Sequence, residues 1–480
     1  MVAIGSISST WHPGRGQVTI WTASPASREI MARAERDLLA PSFQQAQHLR
    51  TAHFARNIGR EVPRLILAAW DVEGWCDIAA MTEAINAHVR RHDTYHSAFD
   101  VRTVDVSGDD EIVITRRTVG DPSAIEFTPA AMGFMEQDEV RSFVQSSTPG
   151  TLEWDCFTFG VIQKADHFTV YANIDHLHTD GSSAVLIYRD INQTYEALVN
   201  DETHTLPQAG EYRDFTAKQR LQVEAMTRDS RPIKDWIDFA KEADGGWPSF
   251  PLELGDAGVT GKGRAVTIEL LNGEQTQAFD AACQAAGARF SGGVMACAAM
   301  ADHQFTGAET FHTFTPSDTR NREQAGSAGW YASLFPVTVD VEDGNFAQMA
   351  RSAQKSFDAN KNLSAVPFEK ALELATPGEL GQTQSSRPMM VSLFDFRKLT
   401  DANANRLGIY IDDLNHGGIN MWVTRNANNT IVTVSYPDTL ESRHSVHEYL
   451  GALRTAFVGT AALNEAWADQ LADQAFAHSA

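Results

Sequence analysis

Residues 166–190, DHFTVYANIDHLHTDGSSAVLIYRD, join an alternating segment to a helical one through a turn crowded with titratable groups. From His167 to His176 apolar residues recur at every second position. Phe168, Val170, Ala172, Ile174 and His176 therefore share one face of a strand, and Thr169, Tyr171, Asn173 and Asp175 the other. From Gly181 the spacing changes to threes and fours, and Ala184, Ile187, Tyr188, Ile191, Tyr195 and Leu198 predict the buried side of a helix. The turn between them is His176-Leu177-His178-Thr179-Asp180-Gly181. Its histidine is the polar end of an otherwise apolar face. Its last residues lie at a helix N-terminus, where free N–H groups favour developing negative charge.

Three readings fit this turn. An imidazole titrating near neutrality there suits general-base work. Asp180 could then orient the turn or the ring, and Gly181 would let a substrate approach the backbone closely. A plainer reading makes His176 a structural histidine and Asp180 an N-cap. The third is a zinc metallohydrolase, because His176, His178 and Asp180 come close to the HxHxDH string of metallo-β-lactamase-like hydrolases. Gly181 stands where that string ends in histidine, and nothing downstream supplies the missing ligands convincingly. The chain has no GxSxG, P-loop, GxGxxG or HExxH. His444 and His447 are spaced as on many helix surfaces, and Trp330-Tyr331 reads as core filling or, alternatively, as the lining of a pocket.

At 480 residues the chain exceeds what one core usually holds, so two lobes are expected. Hydrophobic residues at 43% and charged residues at 21% describe a globular protein. A net charge of -23, from 39 basic and 62 acidic side chains, argues against nucleic-acid partners and against a polybasic membrane anchor. It leaves room for a local basic patch around a phosphate-bearing cofactor. No apolar run reaches the roughly 18 residues of a membrane span. The start, MVAIGSISSTWHPGRGQ, lacks the basic-then-apolar order of a secretory signal. Cys76, Cys156, Cys283 and Cys297 are far apart, form no CxxC, and read as buried thiols in a reducing compartment, so a cytoplasmic setting is expected.

Along the chain, residues 1–30 read as irregular. Strands are expected at 64–74 and 111–117, a hairpin at 154–163 and 167–176, and a helix at 77–92. The second half repeats the alternation, with strands at 265–271, 309–316, 334–341, 387–396, 418–426 and 430–438 and helices at 273–287, 291–305 and 445–457. No short period marks a solenoid. The resulting expectation is α+β, with one lobe at 1–210, a polar crossover at 211–262 and a second lobe at 263–480.

HxxxDG at a strand-to-helix turn, in a chain of this length, resembles the acyltransferase superfamily built on two chloramphenicol-acetyltransferase-like lobes. That superfamily includes peptide-synthetase condensation domains. Other stretches agree in order. PSFQQAQ (41–47) resembles the SxxQ motif through Ser42 and Gln45, and VRRHDTYHSAF (89–99) resembles RHExLRTxF. TPSDTR (315–320) and GWYASLFPV (329–337) resemble the second-lobe motifs. NAHVRRHDTYHSAFD, LEWDCFTFGVIQ, IDHLHTDG and ARFSGGVMACAAMADH are most similar to the polyketide-associated acyltransferases of mycobacteria and related actinobacteria. The resemblance runs from roughly residue 5 to 460.

It implies mixed sheets with flanking helices and an active site in a tunnel between the lobes. His176 would be the catalytic base, and Asp180 would pair with an arginine of the second lobe, best matched by Arg320. Asp180, Gly181 and Arg320 would support the site structurally. The implied donor is a long fatty or polyketide acyl thioester, on CoA or on a carrier protein such as a polyketide synthase carrier domain. The implied acceptor is a hydroxyl of a sugar or glycolipid of the trehalose type. No metal and no permanently bound cofactor are expected. A monomer is expected, with at most peripheral contact at the inner face of the membrane. Condensation domains usually carry two adjacent histidines, and Asp175 stands at the first; it is read as non-catalytic and as favouring ester over amide formation. A non-catalytic lipid-binding lobe is the remaining alternative.

Overall fold

The computed structural model describes residues 2–106, 109–243, 248–256, 261–342, 345–376, 389–397, 399, 407–412, 414–415 and 418–477. Elements are numbered in chain order. One mixed sheet runs β1 (Ala3–Ser6), β14 (Gly408–Ile411), β4 (Leu65–Glu73), β9 (His167–Asp175), β8 (Phe157–Gln163), β2 (Gly16–Ala23) and β7 (Phe127–Met135). A second runs β10 (Gly263–Asn272), β16 (Asn429–Pro437), β15 (Asn420–Arg425), β13 (Met390–Asp395), β11 (Thr310–Asp318) and β12 (Ala332–Asp340). A small sheet holds β3 (Glu35–Asp37), β6 (Asp109–Thr118) and β5 (Ser97–Val106).

Period-two alternation is what seats β4 and β9 at the centre of the first lobe. Ile66, Ala68, Trp70, Phe168, Val170, Ala172 and Ile174 pack in one cluster with residues of α3 (Ile78–Arg91) and α5 (Gly181–Val199). Leu65, Leu67, Ala69 and Tyr171 face the opposite way, onto Val140 and Val144 of α4 (Gln137–Ser147). The sheet is thus covered on both faces. α1 (Pro25–Ala32) and α2 (Phe43–Asn57) complete this lobe, and α6 (Tyr212–Glu224) and α7 (Arg231–Glu242) lie in the crossover. In the second lobe α8 (Gly273–Ala285), α9 (Phe290–Thr306), α10 (Phe346–Asn360), α11 (Phe368–Leu374) and α12 (Leu440–Ala477) accompany the sheet. Its core runs from Trp236 through Phe279, Val294, Phe335 and Val423 to Phe457.

Three features depart from the sequence reading. Residues 1–30 are not irregular: β1, β2 and α1 occupy most of them. Trp11 and Trp21 are core residues, and Pro25 opens α1 at its first positions behind the N-cap Ser24 rather than breaking a segment. The first sheet also takes β14 from the second half of the chain, parallel to β1 and antiparallel to β4, so the two sheets do not divide at residue 262. Finally, Leu198 is 40% exposed, because the buried stripe of α5 drifts to Ala197 in its last turn. Within the crossover, residues 244–247 and 257–260 lie outside the described residues. Among the described residues no helix is long and apolar enough to cross a membrane.

These burials set unequal costs along α5. Ile191→Ala, at a site with no exposure, should destabilise by about 2–5 kcal/mol. Leu198→Ala should stay within about 0.5 kcal/mol. Urea unfolding of the two variants checks both values.

Candidate active site

The turn after β9 is held from both sides. The His176 N–H donates to the Arg64 carbonyl at 2.6 Å, and the His178 N–H to the Asp175 carbonyl at 2.9 Å. The buried Asp175 carboxylate accepts from His48 Nε2 at 2.8 Å, Thr151 Oγ1 at 2.7 Å, the Leu177 N–H at 3.0 Å and Arg64 Nη1 at 3.4 Å. Burial alone would raise this carboxyl; His48, Arg64 and the Leu177 amide outweigh it and hold it at about 2. Gln45, on the capping box of α2 with Ser42, donates from Nε2 to the Leu177 carbonyl at 2.9 Å. Asp175 therefore shapes the turn and fixes His48.

His176 itself is half-buried and lines a cavity of about 560 Å³ between the lobes. The walls include Ile66 and Ile409 on one side and Leu334, Met390, Phe394 and Trp422 on the other. Such an apolar lining with a few polar groups is typical of small-molecule sites. Two further cavities adjoin it. One of about 1040 Å³ shares Arg64, Leu65, Asp412 and Leu414, and one of about 280 Å³ shares Gln44, Pro63, Trp330 and Glu369. The imidazole lies against the Trp330 ring, with centroids 3.8 Å apart at 34°. Its Nδ1 has no hydrogen-bond partner. Burial, followed by the neighbouring His48, pushes its pKa down to about 4, while its own backbone and the Asp180 and Asp175 carboxylates pull weakly upward. The ring is neutral at pH 7 and free to accept a proton.

Asp180 ends the turn as the N-cap of α5, accepting the Ser183 N–H at 2.7 Å. The same carboxylate accepts Arg320 Nη2 at 3.1 Å and Nη1 at 3.2 Å, the Tyr331 N–H at 2.9 Å and the Ala332 N–H at 3.0 Å. Burial would raise the Asp180 carboxyl, but Arg320 and these amides hold it below its ordinary value. Arg320 also donates to Ser183 Oγ at 2.6 Å, the Ser327 carbonyl at 3.0 Å and Asp318 at 2.9 Å, and it stacks over Tyr331 at 4.1 Å. Gly181 is dictated by space: a Cβ there would lie 2.8 Å from Phe394 of β13.

Comparison with known proteins matches this architecture. A family model described as the Condensation domain fits residues 66–412. Trehalose-2-sulfate acyltransferase PapA2 of Mycobacterium tuberculosis (strain H37Rv) is 41% identical over 461 residues, which covers 94% of this chain and 96% of that protein. The chain belongs to the condensation-domain family, on its Pap acyltransferase branch. PapA1 of the same species (strain CDC 1551), a 2'-acyl-2-O-sulfo-trehalose (hydroxy)phthioceranyltransferase, is 39% identical over 452 residues, 93% of this chain and 86% of that one. The solved structure of a PapA2 acyl transferase matches with a TM-score of 0.88 at 39% identity, over 96% of this chain and 99% of that one. The first condensation domain of the CDA synthetase, at 16% identity, shares the fold with a TM-score of 0.65 over 89% of this chain and 97% of its own. Like its Pap relatives, the chain is an acyltransferase.

Within this acyltransferase the turn's other titratable groups are engaged, although Asp180 also lines the cavity. His178 points into the first-lobe core, where Nδ1 meets Thr94 Oγ1 at 3.2 Å and the ring packs on Tyr95 and Phe157. Asp180 is saturated by five donors. His176, His178 and Asp180 therefore do not converge as metal ligands. Among the described residues the group close enough to share an ion is His88, His92 and Asp190, where Arg91 Nε already lies 3.1 Å from the carboxylate. Trp330, expected in the core, lines the cavity instead, while Tyr331 is the buried member of the pair. His48 is the site residue that the sequence reading does not single out. For His48 a signal was present: Ser42, Gln45 and His48 follow one another at helical three-residue steps.

Two outcomes follow for stability. Asp180→Asn leaves Arg320 without its buried counter-charge and should cost about 3–5 kcal/mol by denaturant unfolding. His92, His96, His176 and His178 are each pushed down to about 4, chiefly by burial. Unfolded histidine titrates near 6.5, so between about pH 4 and 6.5 the unfolded chain binds more protons than the folded one. Stability should be complete above that window and fall as pH drops through it. Urea titrations at several pH values should show this slope, and His178→Gln should remove about one proton from it.

Proposed function

We propose that this acyltransferase moves a long fatty or polyketide acyl group from a thioester to a hydroxyl of a trehalose-type glycolipid, with His176 as general base. The observation that carries the reading is a half-buried, neutral imidazole that lines an apolar cavity between the lobes. The names of the PapA2 and PapA1 relatives support the acceptor class.

As the acceptor oxygen attacks the thioester carbonyl, its proton passes to the imidazole. Collapse of the tetrahedral adduct breaks the C–S bond. The imidazolium returns the proton to sulfur, leaving an ester, a free thiol and a neutral His176. Both substrates meet in one cavity, so no acyl-enzyme is required. Asp180 takes no proton, since its lone pairs are occupied by Arg320 and three backbone amides. Asp175 acts through the turn and His48. The apolar walls suit the acyl chain. The wide cavity meeting the central one at Arg64 and Leu414 supports entry of a CoA-bound or carrier-bound donor from that side.

The test mixes the protein with palmitoyl-CoA and trehalose and follows free CoA. His176→Ala should lower acceptor-dependent release by about 10²–10⁴-fold while its melting temperature stays unchanged. Undiminished turnover in that variant would remove His176 from the chemistry. Because the base must be neutral, kcat/KM should fall in acid with a midpoint near 4, well below that of an ordinary histidine.

A further inference from the structure

The charged groups around the central cavity are almost all engaged. Arg64 donates to the carbonyls of Thr148 and Pro149, each at 2.9 Å, besides Asp175. Asp412 accepts the backbone N–H of Arg64 at 2.7 Å and of Leu65 at 2.9 Å. Asp180 is paired with Arg320. Glu369, in the first turn of α11, is different. It stands at the neck shared by the central cavity and the small one, and its carboxylate bonds no side chain of the described residues. Burial raises its carboxyl above the ordinary value.

An unpartnered donor shares that neck. Gln44 is 6% exposed, lines both cavities, and its Nε2 has no partner. The network fixes which end of the amide is left without a partner. Gln219 uses its Oε1 to accept the Phe43 N–H at 3.0 Å, so its Nε2 must donate to Gln44 Oε1, also at 3.0 Å. Gln44 Nε2 is left aimed away from that network. Trp330 lines both cavities together with these groups. An aromatic face with one amide donor and one carboxylate acceptor matches a sugar: the ring takes the C–H face, and the polar pair takes neighbouring hydroxyls.

We infer that Gln44, Trp330 and Glu369 form the acceptor subsite for an uncharged sugar, and that Glu369 selects against a sulfated one. The inference rests on the proposed sugar acceptor and narrows it. A sulfate placed at this neck would meet an unneutralised carboxylate, and no unengaged cation lines the central or the small cavity among the described residues.

Calorimetric titration of the full chain with trehalose and with trehalose-2-sulfate tests this without any donor. Trehalose should bind at least about tenfold more tightly than its sulfate ester. Glu369→Gln keeps the shape and removes the charge. It should weaken trehalose by about 10- to 100-fold while narrowing the gap between the two sugars. Equal affinity for both sugars in the wild type, no binding of trehalose, or an unchanged ratio in Glu369→Gln overturns the subsite. Trehalose binding with the expected ratio, but without CoA release from palmitoyl-CoA, keeps the subsite and counts instead against the donor assigned above.

Discussion

The structure turns on one carboxylate. Asp180 comes from the first lobe, and four of its five donors, Arg320 twice and the two amides of Tyr331 and Ala332, come through residues of the second. Taking two charges out of water costs several kcal/mol per ion, and an ion pair this deep is tolerable only when every lone pair and N–H finds a partner. That condition is met here, with Ser183, Ser327 and Asp318 completing the arginine. The same carboxylate caps α5, which fixes where the turn ends and so where His176 begins. It also anchors the segment that lays Trp330 against the imidazole.

That segment is docked residue by residue. The Ala328 N–H reaches His92 Nδ1 at 3.2 Å, the Gly329 N–H reaches Ser183 Oγ at 3.0 Å, and the Trp330 carbonyl accepts Tyr212 Oη at 3.0 Å. Tyr212 in turn meets Ser42, the cap of α2. Gly329 is required because a Cβ would lie 2.5 Å from the Tyr212 ring. The polar links between lobes are thus short, directional and buried, and they converge within one helical turn of the proposed base. A wall of apolar contacts alone would leave the lobes free to slide; this seam of hydrogen bonds sets their register.

Local pattern made the β9–turn–α5 unit legible, because period two and period 3.6 meet at six residues rich in titratable groups. The alternation of β4 and β9 placed the core faces correctly. The pairing of Asp180 with Arg320 is a contact between positions 140 residues apart, and only the family resemblance pointed to it. β14 was invisible for a related reason. It is four residues long and gains its place by pairing with β1 and β4, hundreds of positions away, so no window of sequence contains its cause. Trp330 stays ambiguous in the sequence because an aromatic residue beside glycine looks the same whether it fills a core or walls a cavity. His48 is illegible locally because its partner Asp175 faces away from His176 on the strand, and facing away is what lets it reach α2.

The depressed basicity of His176 has a chemical consequence on the proposed mechanism. An imidazole with a pKa near 4 cannot deprotonate a sugar hydroxyl ahead of attack. The proton can move only as the C–O bond forms and the oxygen becomes acidic, which ties proton transfer to a correctly seated thioester. The resulting imidazolium is a stronger acid than an ordinary histidine, so it readily protonates the departing sulfur, whose thiol would titrate several units higher. The apolar walls that weaken the base are the walls that would hold the acyl chain. Desolvation therefore does two things at once: it suppresses idle proton transfer to the empty site and drives the proton toward the leaving group when the donor is in place.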